Sequence, residues 1–200
     1  MSFIDGVRDE EATGRAAQMF EEDLEKDGYV WNATRVLALR PDVVDAWRAL
    51  IGTIRSTMDQ RRYELITIAA ARAIRSSYCV LAHSRILTEK LFTQAQVVAM
   101  VQDPREAGIT PAEAAMMDFA ARAARAADGV TQADVDGLRA HGFGDREILD
   151  IALVAGARCF FSKTLDAVGT QPDAAYRKLP DAIRDVLTVG RPIAEPAETR

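Results

Sequence analysis

Apolar residues recur at helical spacing along almost the whole chain, and no alternating run of β-branched residues bounded by turn formers breaks the pattern. The prediction is an all-α protein. A first helix is expected over EATGRAAQMFEEDLEKD, stopped by Gly28, and a shorter one over ATRVLAL. A third starts at Pro41 and runs through PDVVDAWRALIGTIRST, since proline suits a first turn where its missing N–H would have no partner. Two helices follow over residues 59–74 and 76–92, with 75–77 as a tight junction and Ser76 or Ser77 as the N-cap of the second. TPAE at 110–113 joins an N-cap threonine, a first-turn proline and a capping-box glutamate, and opens a helix to about Ala127. A short helix is expected at 132–140, then a long apolar one over DREILDIALVAGARCFFSKTLDAVG with Gly169 as a left-handed cap.

No low-complexity linker divides the chain, so residues 1–188 read as one domain. Residues 189–200 are polar and proline-bearing, and are expected to be an exposed C-terminal tail, a free arm or a strap over a neighbouring subunit. ITIAAARA and IALVAGAR resemble each other, which alone does not establish an internal repeat.

Composition narrows the class. With 48% hydrophobic and 28% charged residues the chain is neither disordered nor a membrane span. A formal net charge of −5 argues against a phosphate-binding surface, so nucleic acid is set aside as a partner. MSFIDGVRDEEATG has no basic segment followed by an apolar run, so the cytoplasm is expected, where the two cysteines would be reduced thiols.

Candidate chemistry sits in SSYCVLAH. Cys79 and His83 are four residues apart, which places them on one helix face, one turn from each other. A thiol reacts as the thiolate, and a nearby helix N-terminus and a neighbouring imidazole both favour that form. The plainer alternative is a buried structural cysteine beside a histidine that bonds a carbonyl. Glu64 tips the balance, because it falls among core-facing residues of YELITIAAARA, where a carboxylate needs a partner. A glutamate that orients the ring and stabilises its protonated form makes a Glu64–His83–Cys79 relay coherent. An ordinary surface glutamate paired with Arg61 is the competing reading.

These residues resemble the alkyl hydroperoxidase D-like branch of the carboxymuconolactone decarboxylase family, and most of all its uncharacterised peroxidase-related members. That family's pattern is a glutamate, a Cys-x-x-Cys starting twelve residues on, and a histidine four after the second cysteine. Here Glu64, Cys79 and His83 match, and Ser76 stands at the first cysteine. The likeness covers most of the chain except the tail. It implies an all-helical fold, homo-oligomers and reduction of hydroperoxides, with Cys79 attacking peroxide and His83 and Glu64 relaying protons. Ser76 breaks the two-cysteine cycle, since a hydroxyl cannot condense with a sulfenic acid to form a disulfide.

Three readings follow. The first is a one-cysteine peroxidase recycled by an external thiol reductant. The second, borrowed from the family's decarboxylases, uses His83 and Glu64 for proton transfer on a small carboxylic acid or lactone while Cys79 merely lines the pocket. The third is a non-catalytic oligomer that binds a ligand. Against the family's motif, RCFFSKTLDAVG puts Cys159 at an asparagine and Lys163 at an arginine, which makes Cys159 a candidate relocated resolving thiol; the simpler reading is an inert core thiol.

Tyr78, beside Ser76, is a candidate for shaping the pocket. His141 reads as a helix-end residue, and Trp31 and Trp47 as core or interface anchors. No cofactor is expected, and a metal is disfavoured because a structural zinc site wants four ligands at tighter spacing.

Overall fold

A computed structural model describes residues 2–196. Ten α-helices occur among the described residues, with no strand: α1 Gly14–Asp27, α2 Asn32–Leu37, α3 Pro41–Arg55, α4 Gln60–Ala73, α5 Ser77–Lys90, α6 Gln94–Gln102, α7 Pro111–Ala126, α8 Gln132–Ala140, α9 Asp145–Ala167 and α10 Asp181–Leu187. The all-α prediction and the fold class hold. Two short helices, α6 and α10, were not expected from the sequence, although the Thr93–Gln96 capping box marks the start of α6.

Local chemistry sets most boundaries. Gly28 ends α1 at φ 77°, and Gly169 takes the same angle just past α9, a conformation glycine enters without the Cβ clash. Pro41 occupies the first turn of α3. The capping box at α7 forms as expected, with Glu113 N donating to Thr110 Oγ1 at 3.2 Å and Thr110 N donating to Glu113 Oε2 at 2.8 Å. Ser76 does hold the N-cap position of α5, yet its side chain makes no capping bond.

α4 is the central element, packed against α5, α7 and α9. Its apolar residues are buried nearly all round, from Tyr63 through Ala71, and that is why Glu64 and Thr67 on the same helix are buried too. Burial on every side makes α4 the rigid platform for α5 and α9, which meet above it.

The expected exposed tail needs correction over residues 189–196. Ile193 and Ala194 are buried, Ala194 N donates to Pro172 O at 2.8 Å, and Arg177 donates to the Ile193 and Ala194 carbonyls at 3.1 and 2.8 Å. Gly190 N donates to Ser77 Oγ at 2.7 Å. The segment is therefore a strap across its own chain, held by backbone bonds that composition does not reveal. The last four residues of the tail lie outside the described ones.

Candidate active site

The junction between α4 and α5 fixes the geometry. Arg75 turns the chain at φ 60°, a left-handed conformation rare for a side-chain-bearing residue. The strap crosses there so closely that a Cβ on Gly190 would lie 2.0 Å from the Arg75 carbonyl oxygen. The tight turn brings Glu64 of α4 beside His83 of α5, with His83 Nδ1 2.6 Å from Glu64 Oε2. Glu64 is only 2% exposed, so the imidazole is the partner its burial requires, and the surface pairing with Arg61 is excluded. Arg61 instead pairs with Glu113, at 2.5 Å.

The surroundings of His83 set its charge state. Burial pushes it below its ordinary value, the positive charge of Arg158 acts the same way, and the bond to Glu64 opposes them without winning. The ring is neutral at physiological pH, with its proton on Nδ1 facing Glu64 and its Nε2 lone pair free to accept. This state has a consequence for stability. An unfolded histidine titrates near 6.5 and binds more protons than the folded one just below that pH, so this group's contribution is present above about pH 6.5 and lost as the pH falls through the folded value. We expect thermal unfolding scanned across that window to show a decline on acidification that His83→Gln reduces; an unchanged slope would show that His83 is not buried as described.

Cys79 lies one helical turn from His83. No hydrogen bond joins the two among the described residues; the partners of the sulfur come from α9. Ser162 Oγ donates to Cys79 Sγ at 3.0 Å and Arg158 Nη1 donates at 3.3 Å. Positions 158 and 162 are four apart, so one face of α9 delivers both donors. Arg158 is 4% exposed. Burial works against its charge, while Cys79 and Tyr63, through the charge each carries once ionised and through hydrogen bonds, act the other way and raise the guanidinium above its ordinary value. Two donors on one sulfur form an environment suited to an anion. Sequence reading missed both residues; the available signal was a lone arginine inside the apolar run ALVAGAR, with a serine one turn on.

Cys159 lies on another face of α9. Its thiol points to α7, donating to Ala124 O at 3.5 Å, and burial raises it above the ordinary thiol value. Cys79 and Cys159 are both free, and α9 turns Arg158 and Ser162 toward Cys79 in place of Cys159. Cys159 is half-buried against α7, and no contact joins it to Cys79 among the described residues.

Tyr78 holds the active helix in place. Its hydroxyl donates to Asp173 Oδ2 at 2.6 Å and accepts from Ala33 N at 3.2 Å, while Asp173 Oδ1 accepts from Asn32 N at 2.7 Å. Burial, followed by the charge of Asp173, drives Tyr78 well above its usual range, so it stays a neutral donor. Thus α5 is tied to the start of α2 through one carboxylate.

Cys79, His83, Glu64 and Arg158 all line a cavity of about 700 Å³. Its walls are largely apolar and aromatic, with Leu37, Ile51 and a Trp47–Phe161 pair whose ring centroids are 4.7 Å apart. Trp31 and Trp47, expected as core or interface anchors, both face it. The volume falls within the range of small-molecule sites, roughly 300–1,000 Å³. His141 closes α8, exposed and outside this cavity. No group of three or more His, Cys, Asp or Glu side chains that could hold a metal ion occurs among the described residues, and none of their helices is long and apolar enough to cross a membrane.

The carboxymuconolactone decarboxylase family model matches residues 41–122, which span Glu64, Cys79 and His83 and stop short of Arg158 and Ser162. No curated protein matches the sequence. Among solved structures, an alkylhydroperoxidase AhpD core described as an uncharacterized peroxidase-related protein from Ralstonia eutropha JMP134 is 26% identical, with TM-score 0.75 over 95% of this chain and 98% of that one. An uncharacterized peroxidase-related protein from Silicibacter sp. TM1040 is 27% identical, with TM-score 0.71 over 88% and 91%. The debrominase Bmp8, solved in complex with 2,3,4-tribromopyrrole, shares the fold at 19% identity and TM-score 0.74 over 92% and 96%. The family model covers the helices that carry the glutamate, cysteine and histidine, and over nearly its whole length the chain is similar to two peroxidase-related proteins, one of them an alkylhydroperoxidase AhpD core.

Proposed function

We propose that the protein reduces hydroperoxides with Cys79 as its single attacking thiol and returns to its starting state with an external low-molecular-weight thiol. The observation that carries this reading is the pair of donors, Arg158 and Ser162, converging on the Cys79 sulfur beside a neutral imidazole. Before attack, the Cys79 proton passes to His83 Nε2 through a molecule in the cavity, since the two side chains do not bond directly. The thiolate then attacks the distal peroxide oxygen; the S–O bond forms as the O–O bond breaks, and the leaving alkoxide takes the proton back from His83 to depart as an alcohol. Cys79 is oxidised to the sulfenic acid and the peroxide is reduced. One external thiol condenses with the sulfenic acid, releasing water and leaving a mixed disulfide, and a second thiol displaces Cys79 with formation of the small-molecule disulfide.

The test is peptide mass spectrometry after near-stoichiometric hydroperoxide with a sulfenic-acid trap, following Cys79 and Cys159 separately in time. Fast labelling confined to Cys79 is expected. Slow or equal labelling of both thiols would refute the reading.

One observation favours a second reading. A carboxylate-held, neutral imidazole in an apolar cavity is also the equipment of a proton-transfer enzyme on a small acid or lactone. The fold is shared with a debrominase, so it hosts more than one chemistry. Activity that survives Cys79→Ser and is lost in His83→Ala would select this second reading.

A further inference from the structure

The cavity holds more positive charge than its chemistry with a neutral peroxide needs. Five cationic side chains line it, Lys26, Arg48, Arg55, Arg85 and Arg158, against two carboxylates, Asp23 and Glu64. Most of these cations are engaged. Arg48 pairs with Glu22 at 2.8 Å, Arg85 with Asp27 at 2.5 Å, Arg158 bonds Cys79, and Lys26 sits over the Trp31 ring at 4.7 Å.

Arg55, like Lys26, has an aromatic ring and no carboxylate for a partner among the described residues. It lies on the last turn of α3, exposed, with its guanidinium 4.6 Å from the centre of the Tyr63 ring. It completes a stripe along α3 in which Trp47, Ile51 and Arg55 recur at four-residue spacing and all face the cavity. Its position therefore sets a charge at the end of an apolar, aromatic wall.

A hydrogen peroxide molecule would occupy a small part of 700 Å³.

We propose that Arg55 anchors a carboxylate on the small molecule that enters to meet Cys79, with the apolar body of that molecule against the Trp47–Phe161 wall. This rests on the thiol-peroxidase reading. The carboxylate could belong to an organic hydroperoxide or to the thiol that reduces the sulfenic acid, and the two half-reactions separate these sources. In the oxidative half, the rate of Cys79 oxidation is measured with cumene hydroperoxide and with para-carboxycumene hydroperoxide. In the reductive half, loss of the sulfenic acid is measured with mercaptoethanol and with mercaptopropionate.

The expected result is that Arg55→Gln lowers the ratio of anionic to neutral rate constants about tenfold in one half-reaction, and that Arg55→Lys restores most of it. Added salt should shrink the same ratio in the unmodified protein, since an exposed charge is screened. A ratio unchanged by Arg55→Gln in both halves, with Cys79 still reacting, overturns the carboxylate anchor and leaves the peroxidase reading intact. A Cys79 that reacts with neither hydroperoxide overturns the peroxidase reading itself.

Discussion

Replacing Arg158 with methionine slows the reaction of Cys79 with hydroperoxide by about a hundredfold while leaving the fold as stable or more so. The rate falls because the charge-assisted donor 3.3 Å from the sulfur is removed, and only the neutral Ser162 hydroxyl remains to meet the negative charge. Stability moves the other way because Arg158 is a buried guanidinium whose Nε–H has no acceptor and which no carboxylate balances among the described residues. An apolar chain of similar length relieves that cost. Arg158→Lys keeps the charge but not the planar fork, and recovers the rate only in part. The paired measurement is pre-steady-state oxidation of Cys79 together with thermal unfolding. Loss of both rate and stability would make Arg158 a structural residue, and loss of neither would remove it from the site.

The strap gives the second large effect. Gly190→Ala places a methyl group 2.0 Å from the Arg75 carbonyl oxygen, far inside van der Waals contact and against backbone that cannot rotate away. The strap has to lift, and the bond from Gly190 N to Ser77 Oγ goes with it. A cost of about 2 kcal/mol or more follows from overpacking of this kind, which for a chain of this size lowers Tm by on the order of 5 °C. Gly137→Ala is the matched control. Its Cβ meets nothing within 4 Å inside α8, so helix propensity alone acts and stability holds or rises. An unchanged Tm in Gly190→Ala would mean that the strap does not lie over the junction.

Both effects arise at contacts that no short sequence window contains. Arg158 and Cys79 are 79 residues apart, and Gly190 and Ser77 are 113 apart. By contrast, Glu64, Cys79 and His83 were legible because two adjacent helices and a tight turn bring them together through local geometry. The Ser76 substitution could be read for the same reason, since its meaning depends only on spacing from Cys79. For His83 the sequence shows the carboxylate partner, but it does not show the depth of burial or the cation from α9 that outweigh that partner.

The sequence by itself determined the helical class, most helix boundaries and the Glu64–His83–Cys79 constellation, because periodicity, caps and short-range spacing act within a turn or two of the chain. Only the tertiary structure decided which face of α9 meets the sulfur, that Cys159 faces α7, that the tail folds back as a strap, and that Arg55 meets the cavity with no carboxylate beside it. Those outcomes depend on how helices rotate and cross when they pack, and that rotation is fixed by the summed burial of the whole core, with no single stretch of sequence encoding it.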